Sequence, residues 1–79
     1  MKDNIRSVVR QTMPNKELVI NDDTDLIDDL GFDSIAMIAL ISGLEEKCGI
    51  SFDDDELDLR NFKNITSISN TVRKCYEKN

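Results

Sequence analysis

The segment from Ser34 to Cys48 constrains the fold of this chain more than any other part of the sequence. Its apolar side chains recur every three or four residues, which is the spacing of one face of an α-helix. Gly49 follows the segment, and glycine is the residue that most often ends a helix. Asp33 precedes it, where a carboxylate can cap the free N–H groups of the first turn. We therefore predict a helix over 34–48, with a stripe of these residues: Met37, Leu40, Ile41, Leu44 and Cys48, widened by Ile35 and Ile38.

Helical spacing also appears near both ends of the chain. Apolar positions from Ile5 to Met13 predict a first helix over about 3–13, ended by Pro14. Thr66 is the expected cap of a last helix. The expected core positions of that helix are Ile68, Val72, Cys75 and Tyr76.

A short helix is expected between these long ones. An acid at Asp53 followed three residues later by Glu56 has the spacing of a capping box, which predicts a third helix over about 53–59. The core candidates here are Leu57, Leu59 and Phe62. No segment shows the period-two alternation of a strand, so we predict an all-α fold: a small four-helix bundle of three long helices and one short third helix.

Residues 14–33 form a long loop between the first two helices in this prediction. The loop contains six aspartates and no helical period, and structureless loops of this length in compact domains are often functional. Its scattered apolar residues are expected to anchor it to the helices: Leu18, Val19, Ile20, Leu26, Ile27, Leu30 and Phe32. With 79 residues the chain has room for one domain, 1–79, and one small core, which argues against a deep enzyme pocket.

Charge is distributed unevenly along the sequence. Residues 1–20 hold four basic and two acidic side chains, and residues 59–79 hold five basic and one acidic. Residues 21–58 hold one basic and 13 acidic side chains, a net charge of −12. Such a block repels phosphates, which excludes nucleic acid and anionic lipid as favoured partners. Opposed potentials steer association, so a basic protein surface would suit it.

Cysteine content and the absence of long apolar runs indicate the cellular setting. Cys48 and Cys75 fall on apolar helix positions with no histidine or second cysteine at metal-ligand spacing, which predicts buried free thiols. No window approaches the roughly 18 apolar residues of a membrane span, and the N-terminus lacks the apolar stretch of a signal peptide. We expect a cytoplasmic protein without a membrane span.

Ser34 is the residue most suited to carry a functional group. It would open the long helix after a glycine-containing turn, where unpaired backbone N–H groups favour an anion on its hydroxyl oxygen. An ordinary helix-start serine would look the same in isolation. The chain has no histidine, and the sequence Gly-Phe-Asp-Ser-Ile is not a Gly-X-Ser-X-Gly elbow, so Ser34 is not expected to act as a catalytic nucleophile.

The run from Asp29 to Ile35, Asp-Leu-Gly-Phe-Asp-Ser-Ile, resembles the phosphopantetheine attachment motif of acyl and peptidyl carrier proteins. The likeness extends over nearly the whole chain, because the loop, the acidic short helix and the final helix follow in the family's order. The resemblance implies that a phosphopantetheinyl transferase attaches 4'-phosphopantetheine from coenzyme A to Ser34, with Asp33 as a recognition residue. It further implies that acyl or aminoacyl groups ride as thioesters on the arm, and that the chain is a carrier and not an enzyme.

The same resemblance implies where partner enzymes bind. The expected contacts are apolar and acidic residues on both sides of Ser34: Ile35, Met37, Ile38, Glu45, Glu46, Asp54 and Glu56. The expected partners have basic surfaces and include an acyl- or amino-acid-activating enzyme, a ketosynthase or another acyl transferase, each visited by a monomeric carrier. Fatty-acid carriers usually place acids where this chain has Ala36 and Ala39. This departure favours a specialised pathway, such as polyketide or nonribosomal peptide synthesis, over housekeeping fatty-acid synthesis or D-alanine transfer.

Two other classes of function are alternatives to a carrier for this sequence. An EF-hand starting at Asp23 would need glycine at its sixth position and glutamate at its twelfth, where the chain has Asp28 and Ser34. A calcium-binding loop is therefore not expected. A non-enzymatic acidic adaptor without a cofactor has the same composition as a carrier, so only a test of modification separates those two.

Overall fold

The computed structural model describes residues 1–78 and shows three α-helices: α1 (Lys2–Thr12), α2 (Ser34–Cys48) and α3 (Ile65–Lys78). Two 3-10 segments, Asp54–Glu56 and Leu59–Phe62, lie between α2 and α3. Residues 1–78 contain no β-strand. The predicted all-α fold is therefore confirmed, and the bounds of α2 agree with the sequence pattern, including Gly49 in the left-handed conformation with φ 65° at its C-terminal end.

The predicted third helix is instead divided into the two 3-10 segments. Its capping box is present: the Asp53 side chain accepts from the backbone N–H of Glu56, and Glu56 Oε1 accepts from the N–H of Asp53 at 2.9 Å. Leu57 then leaves the helical region (φ −83°, ψ 56°). Asp58 starts the second segment by accepting from the N–H of Arg60 at 2.9 Å. Two caps so close in sequence interrupt the element, because each favours a new start and not continuation.

Side chains of all three α-helices and of the segments between them form one core. Phe62 is 1% exposed and meets Phe52 edge to face, with ring centroids 5.3 Å apart. The core prediction was wrong for Leu57, Leu59 and Tyr76, which are 45%, 62% and 44% exposed. The two leucines flank the break between the 3-10 segments, and both face outward. A continuous helix could have turned only one of them toward the core, because positions two residues apart lie on opposite faces. Cys48 and Cys75 are buried and, among residues 1–78, neither is joined in a disulfide, as predicted.

The start of α3 also differs from its prediction. Asn64, and not Thr66, caps the helix, because Asn64 Oδ1 accepts from the N–H of Ser67 at 2.8 Å. Asparagine is as good an N-cap as serine or threonine. Thr66 instead contacts the long loop, donating its N–H to the carbonyl of Asp22 at 3.2 Å.

The loop between α1 and α2 is fixed to the rest of the molecule. Leu26 donates its N–H to the carbonyl of Lys63 at 2.9 Å, and the Asp22 carboxylate pairs with Lys2 and Arg6 of α1. Of the expected anchors four are buried, namely Ile20, Leu26, Leu30 and Phe32. The remaining three, Leu18, Val19 and Ile27, are exposed. These hydrogen bonds, ion pairs and buried side chains hold the residues before Ser34 in place. No helix within residues 1–78 combines the length and the apolar character needed to cross a membrane.

Candidate functional site

Ser34 is the first residue of α2 and is exposed. Asp33 before it is extended (φ −106°, ψ −172°), and its Oδ1 accepts from the N–H of Ala36 at 2.8 Å. The predicted N-cap is therefore confirmed. No hydrogen bond within residues 1–78 engages the Ser34 hydroxyl, so it is free to react with another molecule.

Hydrogen bonds to the backbone order the approach to Ser34. Asp25 Oδ1 accepts from the N–H groups of Ile27 and Asp28 at 2.9 and 2.8 Å. Gly31 has φ 75°, a conformation that other residues rarely adopt, and it lets the chain turn back so that Phe32 donates its N–H to the carbonyl of Leu26 at 3.0 Å. Asp25 and its neighbours thus serve as turn formers. Among residues 1–78 no group of three metal-ligating side chains is placed to hold an ion.

A cavity of about 230 Å³ opens beside the Ser34 side chain. Its lining is mainly apolar and consists of Ile27, Phe32, Asp33, Ser34, Met37 and Leu59. A phosphodiester on the hydroxyl would lie beside the first-turn N–H groups, and the first part of an attached arm would find apolar walls. The residues present therefore fit phosphopantetheine.

The α2 surface that follows Ser34 is apolar and uncharged. Ile35 and Ile38 are 79% and 65% exposed, and no charged residue occurs between Asp33 and Glu45. Two neighbouring exposed apolar side chains on one helix face are candidates for contact with another molecule. Met37, predicted with them, is 6% exposed and reaches the surface only as a wall of the cavity.

The four acids predicted as partner contacts are placed differently from one another. Glu46 and Asp54 are exposed. Glu45 is half-buried, and its Oε2 accepts from the N–H of Phe52 at 2.9 Å, so it also holds the segment after α2.

Glu56 is 7% exposed, and its carboxylate is turned inward by the capping box and by the Cys75 thiol, which donates to Glu56 Oε2 at 3.2 Å. This position does not support the surface contact expected of Glu56.

Sequence reasoning missed three residues of the Ser34 cavity: Ile27, Phe32 and Leu59. Ile27 was expected to anchor the loop and Leu59 to fill the core. Nothing in the sequence marked these three residues as cavity walls, because a single apolar residue in an acidic segment is usually interpreted as a contact with the core. The third helix is interrupted where the caps at Asp53 and Asp58 compete, and the sequence pattern showed the first of these caps without showing that the second would restart the chain there.

Comparison with known proteins shows the family. The family model described as "Phosphopantetheine attachment site" matches residues 3–72. The acyl carrier protein of Campylobacter hominis is 31% identical over 71 residues, covering 89% of this chain and 90% of the relative. The acyl carrier protein of Buchnera aphidicola is 33% identical over 72 residues with the same coverage.

Solved structures give the same result. A crystal structure of an engineered Bradyrhizobium japonicum glycine:[carrier protein] ligase, complexed with a carrier protein from Agrobacterium tumefaciens and AMP, contains a chain that superposes with a TM-score of 0.81 at 32% identity. The match covers 92% of this chain and 99% of that one. Acyl carrier proteins bear phosphopantetheine and are used by separate enzymes. The chain described here therefore belongs to the family of carrier proteins with a phosphopantetheine attachment site.

Proposed function

We propose that Ser34 receives the 4'-phosphopantetheine arm and that the chain carries acyl or aminoacyl groups between enzymes as thioesters on it. The observation that supports this most is the exposed, unengaged hydroxyl at the first residue of α2. Ser42, also exposed on α2, lies inside the helix, two turns further on, where the backbone N–H groups are already paired. Ser34 is the better position for an attached anion.

Each residue around Ser34 has a defined part in this proposal. The arm supplies the terminal thiol on which thioesters form. The Asp33 cap holds the first turn of α2, which keeps the Ser34 hydroxyl at the helix tip for a transferase to reach. Phe32 and Met37 form walls of the cavity into which the first part of the arm fits. No residue here has to remove the proton of the hydroxyl, because the transferase supplies that base.

Partner enzymes are proposed to bind the uncharged face of α2 through Ile35 and Ile38, with Glu46 and Asp54 at its edge. An apolar centre with a charged rim is the usual arrangement of protein interfaces. Rim charges steer encounter more than they strengthen the complex, so association should slow with salt while dissociation changes little. The crystal structure of a related carrier with an amino-acid ligase supports an acyl- or amino-acid-activating enzyme as one partner.

The pathway is proposed to be a specialised one. Ala39 is exposed and leaves the α2 face without an acid that enzymes of fatty-acid synthesis would meet there. Ala36 is partly buried against the core, so it supports this argument less than the sequence suggested. The runner-up is a housekeeping carrier, whose enzymes would have to bind this face without that acid. Reconstituted fatty-acid synthase enzymes offer a direct comparison. We expect the modified chain to be a poor substrate for them, and rapid elongation would contradict the specialised pathway.

Modification in vitro tests the function itself. The chain is incubated with coenzyme A and a promiscuous phosphopantetheinyl transferase, and its intact mass is measured. We expect a gain of one phosphopantetheine, lost in Ser34→Ala and retained in the matched control Ser42→Ala. If the folded chain gains nothing, it is an adaptor without a cofactor and the proposal fails.

A further inference from the structure

A second surface of the molecule carries basic side chains, unlike the uncharged α2 face and the acidic loop on either side of Ser34. A groove of about 440 Å³ runs along α1 and the turn after it, lined by Asp3, Arg6, Ser7, Arg10, Gln11 and Lys16. The α1 members are spaced as neighbours on one helix face. None of them lines the cavity beside Ser34. The groove has three cations and one carboxylate, in a chain whose net charge is −6.

The three cations of the groove differ in the ion pairs and hydrogen bonds that they already make. Arg6 pairs with Asp22 and Asp3. Lys16 donates to the carbonyl oxygens of Arg10 and Gln11 at 3.1 and 2.7 Å, which fixes its ammonium at the C-terminal end of α1 and leaves one of its three donors. The exposed Arg10 guanidinium forms no ion pair or hydrogen bond with residues 1–78. Its planar set of donors matches a carboxylate.

The spacing of these charges indicates the shape of the occupant. Arg6 and Arg10 are one helical turn apart, about 6 Å along the axis, and Lys16 lies beyond the end of the helix. Arg6 is already paired with two carboxylates, so the cations open to a ligand are Arg10 and the remaining donor of Lys16. An extended peptide with carboxylates at intervals can meet both. Much of the wall is carbon, as the aliphatic stems of arginine and lysine provide, so the groove also accepts apolar parts of a peptide.

One part of the groove, at Gln11, lies beside the half of α2 that is remote from Ser34. Gln11 also borders a small pocket with Gly43, Glu46 and Lys47. Gly43 is nine residues along α2 from Ser34, which is about 13 Å of helix. The groove and the cavity beside Ser34 share no lining residue, so a peptide confined to the groove does not have to cover the Ser34 hydroxyl.

We propose that this groove binds an acidic peptide segment of a partner protein, as a docking contact separate from the surface around Ser34. The partner segment is extended, with aspartate or glutamate side chains opposite Arg10 and Lys16. Such a contact raises the effective concentration of a carrier beside its enzymes while the α2 face stays free to visit each one. Binding at the groove does not depend on modification of Ser34.

A titration followed by NMR tests the proposal. The probe is a capped peptide of alternating glutamate and alanine, added to the isotope-labelled full chain, and the matched probe has glutamine at every glutamate. We expect the glutamate peptide to shift the amide signals of Arg6, Ser7, Arg10 and Gln11, and the glutamine peptide to leave them unmoved. Arg10→Gln should weaken binding about two- to fivefold, the range of one exposed charge pair. Arg73→Gln, which removes an exposed cation of α3, should not weaken it.

Several outcomes would overturn the proposal. Equal shifts with inorganic phosphate would show a general anion site, and equal weakening by Arg73→Gln would show attraction to charge alone. Signals of the groove that move with protein concentration before any peptide is added would identify a second copy of the chain as the occupant. An absence of amide shifts at millimolar peptide would show that the groove does not bind acidic peptides. Ser34→Ala should bind the peptide like the unchanged chain, so this result is independent of the attachment proposal.

Discussion

The two ends of α2 are held in different ways. At the C-terminal end, the Tyr76 hydroxyl donates to the carbonyl of Cys48 at 2.7 Å, and the Glu45 side chain accepts from the N–H of Phe52 at 2.9 Å. Both bonds connect α2 to other segments. At the N-terminal end the side-chain cap comes from the neighbouring residue, Asp33, and the exposed face is apolar, while Met37 and Leu40 are buried below it. Among residues 1–78, side-chain hydrogen bonds to other segments are thus found at the end of α2 opposite to the proposed attachment site.

This difference follows from what each end has to do. A hydroxyl that several enzymes must reach cannot be covered by tertiary contacts, so its position depends on the local cap and on the buried side chains below it. The opposite end can be covered without loss of function. Substitutions at the two ends should therefore separate stability from modification.

The largest expected effect on stability is at the buried C-terminal half. Leu44 is fully buried, and Leu44→Ala should lower the free energy of unfolding by about 2–5 kcal/mol, because it leaves a cavity in a small core. The matched change on the exposed face, Ile38→Ala, should change it by no more than about 0.5 kcal/mol. Urea denaturation of both variants measures the comparison. Similar losses from the two would show that the exposed isoleucine packs against the core.

A smaller effect is expected at the cap. Asp33→Ala should cost about 1 kcal/mol, because the N–H of Ala36 loses its acceptor, whereas Asp33→Asn should cost little since asparagine caps as well as aspartate. If the charge of Asp33 is also recognised by the transferase, both variants should be modified more slowly. Initial rates of modification and denaturation midpoints are measured on the same samples. A normal rate of modification for Asp33→Asn would show that Asp33 acts only as a helix cap and that the transferase does not recognise its charge.

Both predicted and unpredicted features of this structure have physical explanations. The bounds of α2 and its cap at Asp33 depend on residues near in sequence, and the helical period alone was enough to place both cysteines on buried faces. The broken third helix, the cap at Asn64 and the inward Glu56 depend on competition between nearby caps or on contacts with distant segments. Ser34 itself could be predicted as a site from its motif. The cavity beside it could not, because it needs the outward turn of Leu59.

The hydrogen bond from the Tyr76 hydroxyl to the Cys48 carbonyl should contribute about 1 kcal/mol to the free energy of unfolding. Tyr76→Phe removes one hydrogen bond to a backbone carbonyl and should lower stability by about 0.5–1.5 kcal/mol. Burial, with smaller effects of Cys48 nearby, raises the pKa of the Tyr76 phenol above its ordinary value of 10.0. The contribution is therefore complete below pH 10.0 and is lost as the pH rises through the folded pKa. The free energies of unfolding of the unchanged chain and of Tyr76→Phe are measured below and above the pKa of the phenol. The difference between the two proteins should become smaller at high pH, and a difference that stays constant would contradict this assignment.

The smallest expected effect is on the loop that leads to Ser34. The hydrogen bond from Lys2, followed by that from Arg6, lowers the pKa of Asp22 below its ordinary value of 3.8. A lowered folded pKa contributes stability above pH 3.8 that is lost as the pH falls through the folded pKa. Asp22→Asn should weaken the acid dependence of the unfolding midpoint, and Asp23→Asn, at an exposed neighbour without an ion pair among residues 1–78, should not. Equal changes in the two variants would mean that the pairs with α1 are not formed in solution.

The position of the attached arm tests the central claim most directly. Trypsin cuts after Lys16 and Lys47, so Ser34 and Ser42 remain in one peptide of the modified chain, and fragmentation of that peptide distinguishes them. The account predicts phosphopantetheine on Ser34 alone. Its presence on Ser42, or on a serine outside this peptide, would contradict the assignment of the α2 tip as the attachment site.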